Sequence, residues 1–182
     1  RAPVVAGAGG GPPLGPPLAP AHPAVASAVV AHEPLVGPLA VDLHGIVRGA
    51  AARLAADPRE HAACCYVADL VGASTWQALS YAERDLVAER AAVVRREVPA
   101  FVAFAPSEAA LSARRGGPPP LVVSTGSRSP AVRHAAAAVV AELTGAASVV
   151  LPGCGHLAPV DAPAELSRLV DAVVDDVSVV RR

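Results

Sequence analysis

The chain has 182 residues, a formal net charge of −1 and 53% hydrophobic residues, enough to bury one core and too few for two. Its basic doublets, Arg95–Arg96, Arg114–Arg115 and Arg181–Arg182, are isolated from one another, which excludes the concentrated basic face that a nucleic-acid partner requires. No apolar run approaches the ~18 residues of a membrane span, and no basic segment leads into an apolar stretch and cleavage site. The cytoplasm is the expected compartment, with the oligomeric state left open. The chain starts at Arg1 and has no methionine, lysine or asparagine, so a fragment encoded by a GC-rich gene is expected. Cys64, Cys65 and Cys154 have no framework spacing; small buried thiols are expected, with no metal and no cofactor.

In chain order, Val4-Val5 reads as the end of a buried strand running into Ala6-Gly7-Ala8-Gly9-Gly10-Gly11. A helix would ordinarily follow such a turn, but Pro12, Pro13, Pro16, Pro17 and Pro20 each remove a backbone donor. Irregular or polyproline-like chain is expected over residues 12–20. Ala26 to Ala31 reads as a buried strand ending at His32-Glu33-Pro34. Residues 38–113 hold no convincing strand but several helix starts: Asp57-Pro58-Arg59-Glu60, with an N-cap acid and proline at the first helical position, and the capping box Ser80-Tyr81-Ala82-Glu83. The alternation between Leu79 and Val98 suits one amphipathic helix.

After a linker at 116–120, Leu121-Val122-Val123 is a buried strand. A helix with Val132, Val139, Val140 and Leu143 on one face follows and stops at Gly145. Ser148 to Leu151 is a further buried strand, Pro152–His156 a tight loop, and Leu166, Leu169, Val170, Val173, Val174 and Val177 mark a last helix. This order implies an α/β protein with parallel strands flanked by helices. Three segments are laid out as 1–37, 38–115 and 116–182.

Functional side chains of open parallel sheets gather at the carboxyl ends of strands. Here those ends are the loops Ala6–Gly11, Ala31–Pro34 and Gly153–Val160. Pro152-Gly153-Cys154-Gly155-His156-Leu157-Ala158-Pro159, followed by Ala162-Pro163-Ala164-Glu165-Leu166, resembles the histidine loop and final helix of the α/β-hydrolases. Pro119–Gly126 resembles the strand and turn that usually present their acid. Val29–Pro34 resembles the strand that leaves the nucleophile helix and enters a lid.

The resemblance implies a partial α/β-hydrolase fold with an all-helical lid, acting on esters or similar small acyl substrates, with His156 as general base. It places Ala8 at the nucleophile position, where serine is absent, with Gly9 as an oxyanion amide; taking Gly9 itself as the nucleophile position supplies no nucleophile either. A pseudoenzyme binding a small apolar ligand or a partner protein, or a coding error, are the alternatives. The usual acid position holds Ser127-Arg128-Ser129-Pro130 and no carboxylate. Glu33 is the substitute, either partner of the histidine or a carboxylate binding backbone amides. Asp161 is assigned to helix capping. Trp76, Tyr81, Phe101 and Phe104 stand as possible pocket-lining residues, or as core.

Overall fold

The structure is a computed structural model that describes residues 3–9 and 26–180. Strands β1 (Val4–Ala8), β2 (Ala28–His32), β3 (Leu121–Gly126) and β4 (Ala147–Leu151) form one sheet in the order β1-β2-β3-β4, and every neighbouring pair is parallel. A 3-10 turn (Gly37–Leu39) and six α-helices lie between β2 and β3: α1 (Val41–Ala56), α2 (His61–Val71), α3 (Ala73–Ala78), α4 (Tyr81–Glu89), α5 (Ala91–Ala103) and α6 (Glu108–Ser112). Helix α7 (Ala131–Thr144) joins β3 to β4, and the short α8 (Ala158–Asp161) and long α9 (Pro163–Val180) complete the chain. The proline run expected to be irregular lies outside the described residues. None of the described helices is long and apolar enough to cross a membrane.

The sheet is covered on both faces, and strand alternation decides which residue goes where. Val29, Ala31, Leu121 and Val123 point to one side, where Ala137 and Val140 of α7 close over them. Ala28 and Val30 point to the other and meet Val173, with Leu169 and Val170 of α9. Burying each such valine stabilises the fold by about 1.5–3 kcal/mol, so the two-sided central strands carry much of the core.

The outer strands do not match the expectation of buried strands. β1 and β4 are edges: Val5 is 41% and Val150 56% exposed, and only Leu151 of β4 is buried. A short apolar run reads the same at the edge as at the centre, because strand order is not written in local hydrophobicity.

The helical stretch has its own core of Ala50, Leu54, Ala63, Tyr66, Ala91 and Val98. It joins the sheet domain through Leu35, Leu43, Val47 and Ala136, with Phe101 packed against them. Two helix boundaries differ from the sequence reading. Asp57 ends α1 instead of starting a helix, although its carboxylate still accepts the Arg59 amide at 3.0 Å. The expected helix from Leu79 to Val98 is two helices divided at Arg90, the second continuing past Pro99 to Ala103. Arg95 explains part of this packing: its guanidinium donates to the carbonyls of Leu54, Asp57 and Arg59, closing the carboxyl end of α1.

The Ser80–Glu83 capping box is formed in both directions. Gly145 ends α7 in the left-handed conformation at φ 68°. Of the cysteines only Cys154 is buried; Cys64 is half-buried and Cys65 exposed, because α2 turns that side of its surface outward.

Candidate functional site

The register sets Ala8, His32 and Ser124 side by side on β1, β2 and β3, so the carboxyl ends of these strands are level. The chain leaves β2 through Glu33, which has φ 47°, a rare conformation for a residue with a side chain. That turn drops the Glu33 carboxylate into the sheet end, where the residue is 1% exposed. One oxygen accepts the Gly126 amide at 3.0 Å and the Ser129 hydroxyl. The other lies 3.0 Å from His156 Nδ1 and 3.3 Å from Arg133 Nε. Burial alone would raise this acid, but the hydrogen bonds from His156, Ser129 and Gly126 and the Arg133 charge outweigh it and hold the carboxyl at about 2.

With Nδ1 donating to a carboxylate, the neutral His156 ring keeps its proton there and leaves Nε2 as the free acceptor. Burial holds its pKa below the ordinary histidine value, with the Arg133 charge adding to that effect and Glu33 opposing it. Nε2 is turned toward Gly9: a Cβ built on Gly9 would stand 2.8 Å from it.

Of the two residues weighed for the nucleophile position, Gly9 has its Cβ position facing His156. Ala8 is still strand, paired with His32. Gly9 makes the turn at φ 59° and aims its missing side chain at the histidine. Nor is the Gly9 amide free to serve as an oxyanion donor, since it donates to the His32 carbonyl at 3.0 Å. Gly10, the next amide along, lies outside the described residues.

The histidine loop is held by His32, to which the sequence assigns no task, and by Asp161, to which it assigns a different one. His32 is 1% exposed; its Nε2 donates to the Gly155 carbonyl at 3.0 Å and its Nδ1 accepts from the Ser124 hydroxyl at 3.1 Å. Asp161 does not cap the helix that begins at Pro163. Its carboxylate accepts the Gly155 amide at 2.9 Å and faces Arg128 at 3.4 Å, a second hold on the residue that His32 binds through its carbonyl. Gly126 packs so tightly beneath the loop that a Cβ there would fall 2.3 Å from the Cys154 carbonyl oxygen.

From the helical stretch between β2 and β3, Thr75 of α3 lies against this loop, its hydroxyl 3.1 Å from where a Gly155 Cβ would stand. The four aromatic residues named from the sequence go elsewhere. Trp76 and Tyr81 flank the Arg84 guanidinium at 5.9 and 5.6 Å, with Tyr81 84% exposed. Phe101 packs in the helix–sheet junction and Phe104 is half-buried beside it. Arg133 was missed altogether, because an arginine on an amphipathic helix reads as solvated surface.

No family model and no curated protein sequence matches this chain, whereas solved structures do. E-2-(acetamidomethylene)succinate hydrolase superimposes with a TM-score of 0.63 at 18% identity, covering 96% of this chain and 68% of its own. The esterase RhEst1 from Rhodococcus sp. ECU1013 gives 0.64 at 19%, over 96% and 64%. MenH from S. aureus gives 0.60 at 11%, over 98% and 70%. The chain thus spans about two thirds of the length of the proteins it matches. Four parallel strands between two layers of helices, matched over nearly the whole chain, have the α/β-hydrolase fold.

Proposed function

We propose that this chain carries the base and acid of an ester- or acyl-cleaving centre, His156 and Glu33, without a side-chain nucleophile at Gly9. The observation that carries this reading is the 3.0 Å contact between His156 Nδ1 and Glu33 Oε2, with Nε2 turned to Gly9. A buried carboxylate in that position holds the imidazole tautomer and stabilises the imidazolium that forms when Nε2 takes a proton. Glycine has no oxygen to acylate, so no covalent intermediate forms at residue 9. The proton His156 can take is that of a water. The water oxygen bonds to the acyl carbon, the bond to the leaving oxygen breaks, and His156 returns the proton to that oxygen. The helices between β2 and β3 act as the lid over a small ester or acyl substrate. Such a centre is impaired relative to one with serine, retaining only the ~10²–10⁴-fold typical of a positioned general base.

Turnover of p-nitrophenyl butyrate tests this. The chain is expected to hydrolyse it slowly, and His156→Ala to reduce the rate by at least about tenfold. Equal turnover in the two proteins would overturn the reading. The chain should also resist a fluorophosphonate probe, which needs an activated serine.

The second reading is a non-catalytic scaffold that binds a small apolar ligand or a partner protein. It is favoured by the missing Gly9 side chain and by the Gly9 amide's engagement with His32. A thermal upshift with a short-chain ester, without turnover, is its expected signature.

A further inference from the structure

Arg133 stands on α7 yet is 3% exposed. Taking a guanidinium out of water is strongly unfavourable unless its charge is paired and its donors are occupied. The charge is paired: Nε lies 3.3 Å from Glu33 Oε2, the oxygen that also faces His156. One corner of the fork is occupied by a different part of the molecule, since Nη2 donates to the carbonyl of Leu70. Nη1 has no hydrogen-bond partner among the described residues.

Leu70 belongs to the last turn of α2. Gly72, at φ 88°, then breaks the chain, and α3 sets Thr75 beside Gly155. One buried side chain therefore touches both the acid behind His156 and the helix corner that brings α3 to the histidine loop.

We propose that Arg133 is a positioning residue with two separable roles. Its charge keeps the Glu33–His156 pair as carboxylate and neutral imidazole, and its bond to Leu70 seats the α2–α3 corner over that pair. The first role rests on the reading of His156 as base with Glu33 behind it; the second does not. The groups that face His156 make Arg133 the distinctive one. From β2 come Glu33 and His32, the latter held by Ser124 and the Gly155 carbonyl. Around the loop, Asp161 is matched by Arg128, which is itself 56% exposed. Arg133 is the buried cation of this group.

The two roles have different readouts in the full chain. Imidazole resonances report the protonation of His156, and emission of Trp76, the single tryptophan, reports the seating of α3. Arg133→Met removes the cation, and the His156 protonation constant is expected to rise about tenfold, with Trp76 emission shifted to the red. Arg133→Lys keeps a charge but cannot reproduce a planar fork spanning Glu33 and Leu70. It is expected to titrate His156 near the parent value while leaving Trp76 emission red-shifted.

An unchanged His156 titration in Arg133→Met overturns the electrostatic role, as does a shifted one in Arg133→Lys. Parent-like Trp76 emission in Arg133→Lys overturns the seating role. If Arg133→Met does not fold, the lysine variant tests both. Glu33→Gln separates this proposal from the reading beneath it. No change in His156 titration there would mean that the pair itself fails, whereas a change there with none in Arg133→Met condemns only the role given to Arg133.

Discussion

Glu33→Gln is expected to destabilise the chain by about 3 kcal/mol at neutral pH and to flatten its stability below pH 5. The carboxylate is fully buried and receives the Gly126 amide, the Ser129 hydroxyl, His156 Nδ1 and Arg133. Its pKa lies at about 2 in the folded chain against an ordinary value of 4.5. Because the folded value is depressed, the stabilisation is fully present above the unfolded pKa and is lost as pH falls through that of the folded state. A difference of about 2.5 units corresponds to roughly 3 kcal/mol. The glutamine keeps the shape and loses the charge, leaving Arg133 buried with no counter-ion. Urea unfolding between pH 2 and 7 checks this: the parent should weaken steeply below pH 4.5 and the variant should not. Parallel curves would mean that the carboxylate is not held as the geometry implies.

The second large effect is expected at Gly126. A methyl group there would lie 2.3 Å from the Cys154 carbonyl oxygen, 2.7 Å from its carbon and 2.8 Å from Gly155 Cα. All three are backbone atoms, which no rotamer change can move aside. Gly126→Ala must push the histidine loop off the end of β3, and a loss of about 3 kcal/mol is expected, at the upper end of overpacking effects. The displacement also pulls the Gly155 carbonyl from His32 and the Glu33 carboxylate from its amide, so the turnover proposed for His156 should fall further than stability alone explains. Gly45→Ala is the matched control. Gly45 lies in α1 with nothing within 4 Å of an added methyl, and alanine there should stabilise by up to about 1 kcal/mol. Equal effects at the two glycines, measured by thermal or urea unfolding, would contradict the packing described for the loop.

The parts of this site that could be read in advance share one property: their chemistry and their local sequence agree. Pro152–His156 is a short glycine loop between a valine-rich strand and a proline-started helix, so His156 announces its own place. Glu33 was readable as a carboxylate at a strand end, either facing His156 or binding backbone amides; it does both, one oxygen facing His156 and the other accepting the Gly126 amide and the Ser129 hydroxyl, more than ninety residues away.

Where local signals are degenerate, the sequence alone does not decide the placement. Ala6–Gly11 is a run of small residues without a serine to anchor the register, and only the backbone turn at φ 59° separates Gly9 from Ala8. The break at Arg90 has no glycine or proline to mark it. His32 and Arg133 act through contacts with residues distant in the sequence, and Asp161 through a loop amide six residues back. Each has a commonplace local explanation: a polar strand end, a helix cap, a solvated helix face.

The cradle around Glu33 has a consequence for which strand ends must stay together. Its carboxylate stems from β2, but the amide and hydroxyl that bind one of its oxygens, Gly126 and Ser129, come from the end of β3 and the turn beyond it. The anchorage therefore belongs to the cleft between two adjacent parallel strands and not to either strand alone. Parting those two strand ends would cost the carboxylate the Gly126 amide and the Ser129 hydroxyl at once.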